Sequence, residues 1–190
     1  VLSFLLIGYS GHRIFARRSA ITALIVTTFG GLAMLAGLIM LAHFAGSWRI
    51  SGVLEAAPAL MADAGLRGLL EVAVALVLIG ALTKSAQAPF HFWLPGAMAA
   101  PTPVSAYLHA AAMVKAGVFL VARLAPEFHG LAMWQVLVIG VGLWTLLLGG
   151  WRALRQTDIK LVLAYGTVSQ LGFLMVANGL GTRDAAMAGL

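Results

Sequence analysis

The feature that most constrains this chain is its succession of long apolar runs. Residues 20–44, 68–94, 104–122, 131–154 and 161–180 are dominated by Ala, Val, Leu, Ile, Gly, Phe and Met. Each comes close to, or exceeds, the roughly 20 residues a helix needs to cross a bilayer. None alternates strictly, and barrel strands are only about 10 residues long, so helices are expected. Charged residues make up 9% of the 190, against roughly 25% in a soluble domain. Too few charges remain to coat a water-facing surface. The expected fold is an all-α, polytopic transmembrane helix bundle with lipid bilayer as its solvent and no soluble domain.

The segments between the runs set the organisation. Residues 1–9 read as the tail of a span and 11–19 as a polar break with Arg13, Arg17 and Arg18. Residues 46–67 read as a loop, part of which can form a surface helix. Residues 96–103 are a Pro-rich connection, 123–130 a loop and 155–160 a basic turn. The chain starts inside an apolar run without Met and ends as another run begins. The expectation is therefore a fragment, 1–190, of a single transmembrane domain with about five full spans plus a terminal stub. Successive loops alternate sides. One set holds Arg13, Arg17, Arg18, Arg152, Arg155 and Lys160, and the other Arg49, Arg67, Arg123 and Arg183. The richer set is assigned to the cytoplasm, which accounts for the net charge of +6 without nucleic acid. Trp48, Trp93, Trp134 and Trp151 fall near span ends, where indole rings favour the interface. With no cysteine there is no disulfide or thiolate cluster within this chain. His12, His43, His91 and His129 share no ligand spacing, so no metal and no cofactor are expected.

Two lysines lie inside apolar runs, Lys84 and Lys115. A charged side chain at the bilayer centre costs about 2.5–3.5 kcal/mol on insertion scales, and such residues face a bundle interior or a hydrated cavity. The alternative is snorkelling to the interface. Lys115 has about 15 Å of helix on either side by the helical rise, which disfavours snorkelling there. Lysine suits proton relay because burial eases loss of its proton and a nearby carboxylate restores the charged form; arginine is too basic for that task. Pro89 has no N–H, so it interrupts the 68–94 span and frees the Ser85 carbonyl. Ser85 and Gln87 can anchor water at the break, as broken helices of transporters do. His109 lies six residues before Lys115, about 9 Å along the axis and on a different face. A water could bridge the two, or the ring could simply pack. Ser105 shares a face with His109 and can orient its ring. Thr102 followed by Pro103 is a helix start. In the last span Tyr165, Thr167, Ser169 and Gln170 either continue a hydrated path or bond between helices. Glu71 lies roughly 20 Å from Lys84 along the helix, too far to pair with it.

Three segments carry a resemblance: Lys84-Ser-Ala-Gln-Ala-Pro-Phe-His-Phe-Trp-Leu-Pro, Ala100-Pro-Thr-Pro-Val-Ser-Ala-Tyr-Leu-His, and Met113-Val-Lys-Ala-Gly. With Arg155-Gln-Thr-Asp-Ile-Lys-Leu-Val-Leu-Ala-Tyr-Gly-Thr-Val-Ser-Gln-Leu-Gly and Ser3-Phe-Leu-Leu-Ile-Gly, they resemble the antiporter-like membrane subunits. That superfamily includes the proton-pumping subunits of respiratory complex I and the Mrp-type cation/proton antiporters. Phe90-His-Phe-Trp-Leu-Pro and Thr28-Phe-Gly-Gly-Leu-Ala-Met-Leu look most like the A-type branch of the Mrp group. The resemblance implies an integral protein of a prokaryotic cell membrane that works with other antiporter subunits on protons and Na+. It implies Lys84 as the relay lysine on the broken helix, Lys115 as the relay lysine of the next helix, and His109 on the same relay. It places the partner glutamate before Val1 and a second relay beyond Leu190. The neighbouring alternative is a pumping subunit of NADH:quinone oxidoreductase or of a membrane-bound hydrogenase. Gly31 stands where some complex I relatives carry Asp.

Overall fold

The computed structural model describes residues 2–63, 65–106 and 113–181. The helices are α1 (Leu2–Ile7), α2 (Ile14–Ala45), α3 (Ile50–Ala62), α4 (Arg67–Lys84), α5 (Trp93–Gly96), α6 (Thr102–Ala106), α7 (Lys115–Phe128), α8 (Ala132–Gln135), α9 (Val141–Ala153) and α10 (Ile159–Gly179). A π-helical segment, Val136–Gly140, joins α8 to α9 in one continuous run. No strand occurs among the described residues. Among the described residues, three helical stretches are long and apolar enough to cross a membrane: Ile14–Ala45, Ala132–Ala153 and Ile159–Gly179. The chain is an all-helical membrane bundle, as its apolar runs require.

α2 is built as lipid demands. Its buried positions include Ala16, Ala20, Ala23, Gly30, Gly37 and Ala42, whereas Phe15, Ile25, Phe29 and Leu32 are each more than 60% exposed. Large apolar side chains thus point outward and small ones inward, because helices in lipid gain stability from close backbone packing rather than from hiding oily surface. α2 and α4 run antiparallel, with Gly30 against Thr83 and Gly37 against Ala73 and Val77. α7 closes on α4 through Gly117, which lies against the Ala81 carbonyl and Ser85.

Several boundaries differ from those expected. α2 starts at Ile14 rather than residue 20, so Arg17 and Arg18 ride exposed on its first turns. The 46–67 loop contains the 13-residue helix α3. α7 runs through the expected 123–130 loop as far as Phe128, with Pro126 inside it. The expected continuous span 104–122 is divided: α6 covers its start, α7 begins at Lys115, and residues 107–112 lie outside the described residues.

The two basic groups share one end of the bundle. A Cβ on Gly96 would stand 3.6 Å from Ser19 Oγ, near the start of α2. The 3-10 turn Phe90–Phe92 just before α5 holds His91, whose Nε2 lies 3.2 Å from Arg152 Nη1 at the end of α9. The start of α2, the broken segment and the α9–α10 turn therefore cluster together.

Candidate functional site: the break after Lys84

α4 stops short of Pro89, with four residues between them. The Gln87 N–H donates to the Leu82 carbonyl at 2.9 Å and the Ala86 N–H to the Thr83 carbonyl at 3.4 Å. Ala86 sits between them at φ 49. These are the two reverse bonds and the left-handed residue of a Schellman cap, a position that glycine usually takes. Lys84 is thus the last residue of α4, and the helix ends by capping before Pro89 takes effect. The Ser85 carbonyl, already past the end of α4, accepts from Gln87 Nε2 at 3.3 Å. The Thr83 carbonyl also accepts from the indole Nε1 of buried Trp93 at 3.1 Å. The Ser85 hydroxyl donates to Ala81 O at 2.6 Å. Ser85 and Gln87 are fully buried. Here they bond the backbone, and Gln87 Oε1 keeps an unused buried acceptor.

Lys84 faces a cleft of about 190 Å³ whose walls include Thr27, Gly31 and Met34 of α2, Gly80 and Ala81 of α4, and Ala116, Gly117 and Leu120 of α7. Thr27 and Gly31 lie about 20–25 Å along α2 from its start, and α2 has 32 residues. Lys84 is therefore level with the middle of a membrane-length helix. It is half-buried, and no carboxylate or hydrogen-bond partner meets its ammonium among the described residues. Glu71 pairs instead with Arg67 at 3.7 Å, one turn away on α4.

The other expected site residues disperse. Lys115 opens α7 and is exposed. It does not occupy the middle of a continuous helix; it immediately precedes the cleft-wall residues Ala116 and Gly117. His109 lies outside the described residues. The Ser105 hydroxyl donates back to Pro101 O at 3.2 Å. On α10, Thr167 bonds Leu163 O within its own helix at 2.8 Å. Ser169 donates to Leu146 O of α9 at 2.8 Å, which is helix-to-helix bonding. Tyr165 lies under the Arg152 guanidinium at 5.9 Å, and Gln170 is exposed. None of these four is among the residues of the Lys84 cleft.

Sequence reasoning passed over Thr145. It is fully buried on α9, and its Oγ1 accepts from the Ala88 N–H in the break at 2.9 Å. A hydroxyl inside an apolar run was the available signal.

Comparisons with known proteins bear on the family and the fold. A family profile described as NADH:quinone oxidoreductase/Mrp antiporter, TM, matches residues 1–190. A Rhizobium meliloti protein, named as the A/B component of a probable K(+)/H(+) antiporter, is 53% identical over 188 residues, covering 99% of this chain and 18% of that protein. The A component of the Na(+)/H(+) antiporter of Alkalihalophilus pseudofirmus is 51% identical over 180 residues, covering 95% of this chain and 22% of its own length. The chain thus spans about a fifth of the length of these relatives. Among solved structures, the Mrp complex from Dietzia sp. DQ12-45-1b superposes with a TM-score of 0.91 at 42% identity, over 98% of this chain and 20% of that one.

Proposed function

The chain belongs to the NADH:quinone oxidoreductase/Mrp antiporter transmembrane family, and on that premise we propose that it is the membrane core of the A component of an Mrp-type antiporter. In this reading it conducts protons for a multisubunit monovalent cation/proton antiporter in a prokaryotic cell membrane. It is a transport protein rather than an enzyme, and a single transmembrane domain over 1–190, with about five full spans plus a terminal stub, belongs to the same proposal. The observation that carries it is Lys84: a lysine at mid-membrane depth, at the end of a helix that breaks directly behind it, facing a cleft between three helices. A charged group at that depth faces a bundle interior or a hydrated cavity, which suits a proton relay. Lys115 and His109 are proposed as further stations on the relay. Gly31, on the cleft wall, favours the antiporter branch over the complex I branch, some of whose members carry Asp at that position.

The test uses everted vesicles from cells expressing the full-length protein with its neighbouring subunits. Addition of Na+ or K+ is expected to dissipate a preformed pH gradient, and the cation that does so identifies the exchanged ion. If neither collapses the gradient at normal complex levels, the antiporter reading fails.

The shared end of the bundle supplies a second expectation. The cluster at Arg13, Arg17 and Arg18 and the turn at 155–160 are proposed to face the cytoplasm. A cysteine placed by Arg17→Cys is expected to resist membrane-impermeant thiol reagents in intact cells and to react in everted vesicles. Rapid labelling of intact cells would reverse the orientation.

A further inference from the structure

We propose that Thr145 is a positioning residue that ties the broken segment to α9 and thereby holds Lys84 in its cleft. The proposal rests on the reading of Lys84 as a proton station. Ala88 lies in the irregular stretch between α4 and the Phe90–Phe92 turn and is 4% exposed. Its N–H reaches no backbone carbonyl; it is met by Thr145 Oγ1, 57 residues along the chain, at 2.9 Å. The same hydroxyl donates its own proton to Val141 O at 2.6 Å, so both of its roles are filled. Thr145 is fully buried and thus has no competing water at its surface. Without the hydroxyl, the Ala88 N–H would remain buried and unpaired, which the break can relieve only by shifting. The remaining bonds of the break, from Gln87 and Trp93, all return to α4 itself or to the residue that caps it. A second tether lies two turns further on the same face of α9, where Arg152 Nη1 meets His91 Nε2. A guanidinium only donates, so the imidazole nitrogen is the acceptor. α9 therefore grips the break at two points that flank Pro89. Movement of the break, four residues from Lys84, requires α9 to move or Thr145 to let go.

Thr145→Val keeps the side-chain shape and removes only the hydroxyl. In the full-length protein within its complex, it is expected to lower cation-driven proton exchange about tenfold at unchanged complex levels, through displacement of a group whose placement matters at the ångström scale. Thr145→Ser restores the hydroxyl and is expected to recover most of the exchange. A readout independent of transport is thiol labelling of Ala88→Cys, on a background otherwise free of reactive cysteine. Labelling is expected to be slow with Thr145 or Ser and several-fold faster with Val. Unchanged exchange and labelling in Thr145→Val would overturn the proposal. So would a Ser variant as impaired as Val, since shape rather than the hydroxyl would then matter. A Lys84→Ala control separates the two ideas: normal exchange in that variant sinks the reading of Lys84, while the labelling comparison still decides whether the tether exists.

Discussion

Lys84→Ala in the full-length protein is expected to abolish cation-driven proton exchange while leaving the amount of assembled complex at or slightly above the unmodified level. The two halves of that outcome have different physical origins. Assembly survives because the ammonium meets no carboxylate or hydrogen-bond partner among the described residues. Its removal therefore breaks no pair among the described residues and relieves a placement that costs about 2.5–3.5 kcal/mol at mid-membrane depth. The cleft it faces is already about 190 Å³, so truncation enlarges an opening rather than creating a cavity in a closed core. Exchange is lost because alanine carries no proton. Lys84→Arg retains the charge and still is expected not to restore exchange, since a guanidinium does not release its proton at physiological pH. ΔpH-driven exchange in everted vesicles, with complex quantified on the same membranes, is the measurement. Near-normal exchange in Lys84→Ala at normal abundance would make Lys84 a structural residue.

Three of the five expected spans, 20–44, 131–154 and 161–180, were legible because their apolar length alone lets them sit in lipid. The run 161–180 became α10, Ile159–Gly179, and 131–154 became the stretch Ala132–Ala153. Errors arose where charges ride on a helix. Arg17 and Arg18 read as a loop, but a long cationic side chain on the first turns of α2 can reach the interface and so does not end the helix. Arg123 misled in the same way at α7. The break was legible only in outline. Pro89 marked it, yet the terminating residue is Ala86 at φ 49, and alanine gives no hint of a left-handed cap. Lys84 was visible as a charge in an apolar run. The partner of the break was not, because Thr145 acts across 57 residues and a threonine in a membrane helix ordinarily satisfies itself on its own turn. Lys115 was read within one continuous helix, whereas α7 begins there and leaves the side chain exposed, next to the cleft-wall residues Ala116 and Gly117.

Gly37→Val is expected to deplete the assembled complex far more than any substitution at the cleft. A Cβ at Gly37 would lie 2.6 Å from the Ala73 carbonyl oxygen and 2.9 Å from the Val77 backbone nitrogen, with Val77 Cγ2 at 2.8 Å. Two of those three atoms are helix backbone and cannot rotate aside. α2 and α4 would have to separate along their length, and the contacts at Gly30–Thr83 and Gly80–Met34 would loosen with them. Overpacking costs about 1–3 kcal/mol where side chains can yield; here they cannot. In lipid no hydrophobic drive recovers the loss, since association rests on close packing itself. The control is Gly166→Ala on α10, where an added Cβ meets nothing within 4 Å. That change gains roughly 1 kcal/mol of helix propensity and is expected to leave assembly intact. Detergent-extracted complex, quantified by fluorescence-detected size exclusion before and after heating, compares the two. Equal recovery of Gly37→Val and Gly166→Ala would mean that the α2–α4 contact is looser than its geometry shows.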